Sequence, residues 1–292
     1  MTFLGRVKRK ILRTLGLLPA QSINAAATDK MIRRIARLGA SQEDLDRLIA
    51  SNVSDGVADY NVFMRNLVGV SAMHQTFPYG MSFAYDSKHG KPVENAAFHQ
   101  IVELAKNCYD SVVDEGVPGA LVEFGVATGW WLDKILDHME ATHKIRETWG
   151  FDSFEGLPAP DPVWDGVDWK KGQYAVSEET VGQYLRAKER PFLHLVKGWF
   201  SETLPRPEAQ AIREIAYAKV DCDLYQPAVE CLNYLTGRLS NGAILMFDDW
   251  THLSSSGETK AFMEWVPTVP QYRFELIGFF NYRIYFRVLH VS

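Results

Sequence analysis

The second half of the chain alternates short apolar runs with amphipathic segments. Five apolar runs predict strands, at residues 120–124, 148–152, 192–197, 215–221 and 243–247. The segments between them carry apolar residues at helical spacing, as in Leu132, Ile135, Leu136 and Met139, and again in Val229, Leu232, Leu235 and Leu239. Strands that alternate with helices indicate βα units and a mainly parallel sheet.

Both ends of this region extend the pattern. Helical spacing predicts a helix over about residues 93–115, and two final apolar runs, 273–279 and 282–288, predict an antiparallel hairpin. Five βα units closed by a hairpin give a doubly wound α/β fold with a seven-stranded, mainly parallel sheet. We therefore assign residues 93–292 to one α/β domain, a length typical of such a unit.

Residues 1–92 are predicted to form a basic leader followed by a helical extension. The leader contains a group of basic residues, Arg6, Lys8, Arg9, Lys10 and Arg13. Two interpretations stay open for it: an amphipathic helix in peripheral contact with an anionic membrane or a partner subunit, or a solvated segment. Helical spacing over residues 28–70 offers a surface for a homo-oligomer or a lid over the α/β domain.

The composition is that of a globular protein, and it argues against some classes of binding partner. Of 292 residues, 47% are hydrophobic and 23% are charged, and the net charge is −5. Nucleic-acid-binding domains are usually basic, so we expect no nucleic-acid partner. No run of about 18 apolar residues occurs, which predicts no transmembrane helix. Three cysteines without metal-site spacing favour a reduced, cytoplasmic protein.

A glycine-rich loop follows the first predicted strand, where a doubly wound sheet places its ligand. Residues 125–129 are Gly-Val-Ala-Thr-Gly, and the small side chains allow a ligand to approach the backbone closely. Trp130 stands where a nicotinamide-binding fingerprint has its third glycine, and Glu123 suits a cationic ligand group better than a pyrophosphate. Glycine-rich turns also occur for packing reasons alone, so a purely structural role stays open.

The second predicted strand ends in Asp152, whose carboxylate can accept hydrogen bonds from both hydroxyls of a ribose. A buried carboxylate needs a partner, because its desolvation otherwise costs free energy. The alternative role for Asp152 is that of a helix cap or a turn residue.

Carboxylates follow the fourth and fifth predicted strands. Asp221 ends the fourth, and Asp248 and Asp249 follow the fifth. Parallel strands end at the same edge of a sheet, so we expect these three groups to converge, and their repulsion requires a cation between them. All-oxygen ligation favours Mg²⁺, with Mn²⁺ or Ca²⁺ as substitutes. The competing role for one or two of these carboxylates is that of a helix cap. Asp223 is predicted instead to cap the helix that begins near Tyr225.

Ordered motifs over residues 116–288 resemble the macrocin O-methyltransferase (TylF-type) family of class I S-adenosylmethionine-dependent methyltransferases. The most specific motif, at residues 150–158, is Gly-Phe-Asp-Ser-Phe-Glu-Gly-Leu-Pro, and further matching stretches lie at 197–205, 221–225 and 242–249. The resemblance implies an O-methyltransferase that uses S-adenosylmethionine and Mg²⁺. Its expected partner is a small-molecule acceptor, and the methylated group is a hydroxyl of a sugar or another natural product.

The resemblance also implies roles for individual residues. The cofactor would be held by Glu123, Gly125, Ala127, Thr128, Gly129, Asp152, Ser153, Phe154, Gly198 and Trp199. The metal would be bound by Asp221, Asp248 and Asp249.

Methyl transfer to a hydroxyl also needs a proton acceptor. Asp221 is the predicted acceptor; His252, which follows the metal segment, is either an alternative base or a loop residue without a catalytic role. Trp164, Trp169 and Tyr174 form either a lid over the acceptor or ordinary packing. Two other functions compete with this one: a non-catalytic cofactor-binding or partner-binding module on the same fold, and an NAD-dependent oxidoreductase.

Overall fold

A computed structural model describes residues 85–86, 91–92, 96–165, 169–250, 257–280 and 283–291. Its first element is a two-residue antiparallel pair, Tyr85–Asp86 with Lys91–Pro92. Residues 1–84 of the proposed extension lie outside the described residues. The division of the chain into 1–92 and 93–292 therefore stays a prediction.

Seven strands form one sheet. They are β1 (Ala120–Phe124), β2 (Thr148–Asp152), β3 (Leu193–Lys197), β4 (Ile215–Val220), β5 (Leu239–Phe247), β6 (Tyr272–Phe280) and β7 (Arg283–His290). Their order across the sheet is β3-β2-β1-β4-β5-β7-β6; the first five are parallel, and β7 runs antiparallel to both its neighbours. The predicted seven-stranded sheet with a C-terminal hairpin is confirmed.

Helices lie between most of these strands and are numbered in chain order. They are α1 (Ala96–Asp114), α2 (Trp130–Thr142), α3 (Glu178–Tyr184), α4 (Phe200–Thr203), α5 (Pro207–Gln210), α6 (Tyr225–Leu235) and α7 (Gly257–Trp265), with short 3₁₀ turns at Ala187–Glu189 and Val266–Thr268. The apolar stripe predicted on α2 is buried in the core, at Leu132, Ile135, Leu136 and Met139. Helical spacing thus identified the face of α2 that packs inward.

One predicted boundary is wrong, at the junction of α6 and β5. The helix ends at Leu235, and Leu239, predicted to lie on it, is the first residue of the strand. Residues 240–242, Ser-Asn-Gly, have the composition of a turn. They nevertheless belong to β5, and the register between β5 and β4 shifts at this point. Gly242 has a φ of +89°, a conformation that glycine adopts without steric strain.

The strand ends that carry the predicted site residues are tied together by backbone hydrogen bonds. Gly125 N–H donates to the carbonyl of Phe151 at 2.9 Å, Asp221 N–H to Phe124 at 2.9 Å, and Asp248 N–H to Val220 at 3.0 Å. The chain order reverses between β1 and β4, and ligands of doubly wound sheets bind beyond the strand ends at such a switch point.

Two observations bear on the compartment and on membranes. Cys108, Cys222 and Cys231 are buried and free of disulfides. Among the described helices, none is both long and apolar enough to cross a membrane. The cytoplasmic location itself stays a prediction.

Candidate active site

The glycine loop (residues 125–129) packs directly against the chain that leaves β4. Gly125 has a φ of +88°, and a Cβ there would lie 1.6 Å from the carbonyl oxygen of Asp221. Only glycine fits this position, because any side chain would displace that backbone. Within the loop Ala127 also adopts the left-handed region, at φ +47°, which is sparsely populated by residues with a side chain.

Asp152, at the end of β2, holds the glycine loop in place. Its Oδ2 accepts from the N–H of Ala127 at 2.8 Å, and its Oδ1 accepts from the N–H of Phe154 at 2.6 Å. Burial raises the pKa of Asp152, while these backbone donors oppose that rise. Each carboxylate oxygen retains acceptor capacity, so the group can bind a ligand hydroxyl as well as order the loop. Its predicted contact with a ribose stays a prediction.

A cavity of about 670 Å³ lies at this edge of the sheet, within the size range of small-molecule sites. Its wall includes most of the site residues predicted from the sequence: Gly125, Ala127, Thr128, Asp152, Ser153, Gly198, Trp199, Asp221, Asp248 and Asp249. The tertiary structure thus places the glycine loop and the aspartates on one cavity.

Three predicted cofactor residues lie outside the cavity wall. Glu123 is buried in β1, where its Oε1 accepts from Lys219 Nζ at 2.7 Å. Gly129, at φ +79°, is the N-cap of α2 and packs against Leu185, and Phe154 belongs to the hydrophobic core. Each of them supports a residue or segment that does line the cavity.

The carboxylates at the strand ends form a tighter cluster than the sequence indicates. Asp221, Asp223 and Asp249 each place a carboxylate oxygen within 4.8 Å of the others. Asp248 instead accepts from Arg283 Nη2 at 2.6 Å, and its Oδ1 has no hydrogen-bond partner among the described residues. We call Asp221, Asp223 and Asp249 the acid cluster.

Burial makes the charges of this cluster unfavourable without a cation. Burial and then the charge of Asp248 raise the pKa of Asp221 to about 6, against the opposing ammonium of Lys219. Burial and the charges of Asp221 and Asp248 raise the pKa of Asp249 to about 8. An all-carboxylate donor set at this spacing fits a hard divalent cation, whose charge would relieve the repulsion.

The helix-cap role predicted for Asp223 is wrong. Asp223 sits at φ +59°, and the N-cap of α6 is Leu224, without a side-chain cap bond. The N–H of Tyr225 donates instead to Asp165 Oδ1 at 2.6 Å, from 60 residues away. Because Asp165 caps the helix, the carboxylate of Asp223 is not used as a cap and lies with the other two carboxylates of the acid cluster. No local sequence signal identifies Asp165, because the pairing joins two distant segments.

Replacing Asp165 with alanine is expected to lower the free energy of unfolding by about 1–3 kcal/mol, because it removes the acceptor of two part-buried hydrogen bonds, from the amides of Tyr225 and Asp161. Denaturant unfolding measures this loss. The exposed cap Ser177→Ala is the matched control and is expected to cost less. Equal losses in the two variants would contradict the assignment.

Lys219 is a cation at the site to which the sequence pattern gives no role. It is almost fully buried and donates both to Glu123, at 2.7 Å, and to Asp221 Oδ2. Burial opposes its charge, but Asp221 and Glu123 outweigh that effect and raise the pKa of Lys219. The available signal was a lysine within an apolar strand, since a buried charge requires a partner.

The aromatic residues after β2 separate into two groups. Tyr174 lines the cavity, with Trp169 beside it at a ring-centroid distance of 6.4 Å. Trp164 lies outside the cavity wall and packs against Tyr225, with Lys260 Nζ 4.2 Å from the centre of its ring. Of the three predicted lid residues, only Tyr174 lines the cavity. His252 lies outside the described residues.

The family comparison agrees with this geometry. The sequence model described as Macrocin-O-methyltransferase (TylF) matches residues 99–265, more than half of the chain. The chain belongs to this family. A curated relative, the 8-demethyl-8-(2,3-dimethoxy-alpha-L-rhamnosyl)-tetracenomycin-C 4'-O-methyltransferase of Streptomyces olivaceus, is 30% identical over 210 residues, which are 64% of this chain and 76% of the relative. Two other curated O-methyltransferases are matched over 59% and 60% of their own lengths.

Solved structures share the fold. The O-methyltransferase NovP is 27% identical, with 64% of this chain and 79% of NovP covered and a TM-score of 0.52. The calicheamicin methyltransferase CalS11 is 24% identical, with 84% and 91% covered and a TM-score of 0.57. The protein is therefore an enzyme of the transferase class with the fold of class I methyltransferases, and the family match favours neither the oxidoreductase nor the non-catalytic alternative.

Proposed function

We propose that this enzyme transfers a methyl group from S-adenosylmethionine to a hydroxyl of a natural-product sugar, assisted by a divalent cation such as Mg²⁺. The observation that carries the proposal is a single cavity lined by both the glycine loop and the acid cluster. A sugar acceptor is supported by the Streptomyces olivaceus relative, whose name combines a rhamnosyl group with a 4'-O-methyltransferase activity.

The cofactor end of the cavity fits S-adenosylmethionine, which supplies an electrophilic methyl group when bound. Gly125 and Ala127 bring backbone to the cavity wall without bulk, and Asp152 offers acceptors for ribose hydroxyls. The buried hydroxyl of Thr128 has no hydrogen-bond partner among the described residues, so it is available to a ligand. Trp199 adds an aromatic surface for the adenine.

The metal end of the cavity fits a divalent cation, which lowers the pKa of a hydroxyl that contacts it. Asp221 and Asp249 belong both to the ligand set predicted from the sequence and to the acid cluster. We assign the third carboxylate to Asp223, which lies with them, and assign Asp248 to holding Arg283. The sequence-based alternative, Asp248 as third ligand, is distinguished from this one by the variants in the Discussion.

Residues around Asp221 control how the acceptor proton is taken up. Lys219 donates to Asp221 Oδ2 and holds that oxygen in place, so that Oδ1 remains available as an acceptor. We keep Asp221 as the proposed proton acceptor. The wall residue Tyr174 would orient the acceptor so that its oxygen approaches in line with the sulfur–methyl bond, the alignment on which displacement depends.

A direct test uses the purified chain with methyl-labelled S-adenosylmethionine, Mg²⁺ and a panel of glycosylated natural products beside their aglycones. We expect label on a sugar hydroxyl, and loss of labelling after chelation that Mg²⁺ restores. Labelling of aglycones alone would contradict the sugar acceptor. Binding of S-adenosylhomocysteine without turnover across the panel would favour the non-catalytic module.

A further inference from the structure

A carboxylate outside the acid cluster binds the backbone of both segments that form it. Glu258, in the first turn of α7, is fully buried. Its Oε1 accepts from the N–H of Cys222 at 2.8 Å and of Asp223 at 3.2 Å, and its Oε2 accepts from the N–H of Asp249 at 3.1 Å. One side chain therefore joins the segment after β4 to the segment after β5.

The start of α7 is packed so closely that Glu258 has little freedom to move. A Cβ on Gly257 would lie 2.8 Å from the carbonyl oxygen of Asp223, and Gly257 has a φ of +52°. Its N–H donates to the carbonyl of Trp164 at 2.8 Å. The helix start is thus held from two sides, which fixes the point from which the carboxylate reaches the two segments.

The placement of Glu258 is electrostatically unfavourable by itself. Its buried carboxyl group lies beside the half-buried carboxyl groups of the acid cluster, which already repel one another, while an apolar side chain could fill the same space without that penalty. What the carboxylate adds is an acceptor on each of its two arms, so that both segments are held at a fixed separation.

We propose that Glu258 is a positioning residue that sets the distance between Asp249 and the pair Asp221 and Asp223, and thereby the affinity of the acid cluster for a divalent cation. The inference rests on the proposed function, because it presumes that the cluster binds the cation. Glu258 does not belong to the wall of the cavity. It acts through the backbone amides next to the ligands, as outer-shell groups do in metal sites.

Glu258→Gln provides the test with the least change of shape. A side-chain amide has one oxygen and one NH₂ group, so one of the two segments must meet a donor where it had an acceptor. We expect the affinity for Mg²⁺, measured by calorimetry without acceptor, and for Mn²⁺, measured by electron paramagnetic resonance, to fall about 10–100-fold. Affinity for S-adenosylhomocysteine is expected to be unchanged, because none of the three amides belongs to the glycine loop.

The matched control is Glu264→Gln on the same helix. Glu264 is half-exposed, accepts from the hydroxyl of Tyr225 at 2.7 Å and pairs with Lys260, away from the acid cluster. This variant is expected to bind Mg²⁺ as the unaltered protein does. Glu258→Asp, which keeps the carboxyl group but shortens the reach, is expected to bind with intermediate affinity and serves as the readout if Glu258→Gln does not fold.

The outcomes separate the inference from the proposed function. If the unaltered protein binds Mg²⁺ and Glu258→Gln and Glu258→Asp bind it equally well while unfolding at lower denaturant, Glu258 is a structural group only and the inference is overturned. If the unaltered protein itself binds no divalent cation, the metal assignment fails, and the inference fails with it. A loss of metal affinity together with unchanged cofactor affinity supports both.

Discussion

Replacing Asp249 with asparagine is expected to lower Mg²⁺ affinity and methyl transfer by more than about 100-fold, beyond the range typical of changes outside the ligand shell. The substitution keeps the shape of the side chain but removes the negative charge from the acid cluster. Calorimetry with Mg²⁺ and a labelled-methyl assay measure the two losses. The metal-free protein is not expected to be destabilised, because Asp221 and Asp248 repel the native carboxylate.

Two further asparagine substitutions complete this experiment. Asp114→Asn removes a carboxylate from an exposed pair with Lys144, which contributes little to stability, and is expected to leave Mg²⁺ binding unchanged. Asp248→Asn distinguishes the two ligand sets. If Asp248 holds Arg283, its replacement weakens Mg²⁺ binding less than Asp223→Asn does. The reverse order would return Asp248 to the ligand set and remove Asp223 from it.

Gly125→Ala is expected to lower the free energy of unfolding by about 2–6 kcal/mol, the sum typical of overpacking and backbone strain. Its Cβ would lie 1.6 Å from the carbonyl oxygen of Asp221, so the glycine loop and the segment after β4 must move apart. Both walls of the cavity shift with them. Affinity for S-adenosylhomocysteine is therefore expected to fall as well, measured by calorimetry on the folded fraction.

Gly116→Ala is the matched control for backbone conformation. Gly116 also has a positive φ, +66°, but a Cβ there would meet nothing within 4 Å. Its replacement is expected to cost only the backbone term, about 1 kcal/mol, and to leave cofactor affinity unchanged. Equal losses of stability at the two positions would show that the close approach to Asp221 does not determine the choice of glycine.

Much of the fold follows from local pattern. The first two strands end where the apolar runs end, and the buried face of α2 is the one that helical spacing indicates. The junction of α6 and β5 is the exception, because residues 240–242 have the composition of a turn while the neighbouring strand pairing keeps them in the sheet. Local composition does not reveal that β4 pairs with the strand on both sides of these residues.

The site, like the fold, has features that the sequence predicts and features that depend on the tertiary structure. Gly125, Asp152, Asp221 and Asp249 lie at strand ends or just after them, and parallel strands bring their ends to one edge. The sequence was therefore sufficient to predict that these residues meet. Lys219 was visible as a charge in an apolar strand, but its partners were not. Pairing depends on which strand lies beside which, and that order is a property of the sheet.

The sequence by itself determined the order of elements, the family motifs and the positions of the cavity-lining aspartates, because each depends on residues close together in the chain. Only the tertiary structure decided what those aspartates contact. Asp248 pairs with Arg283, Asp165 caps α6, and Glu258 binds the two segments of the acid cluster, across separations of 35, 60 and up to 36 residues. Such contacts depend on which surfaces pack together, so no local spacing encodes them.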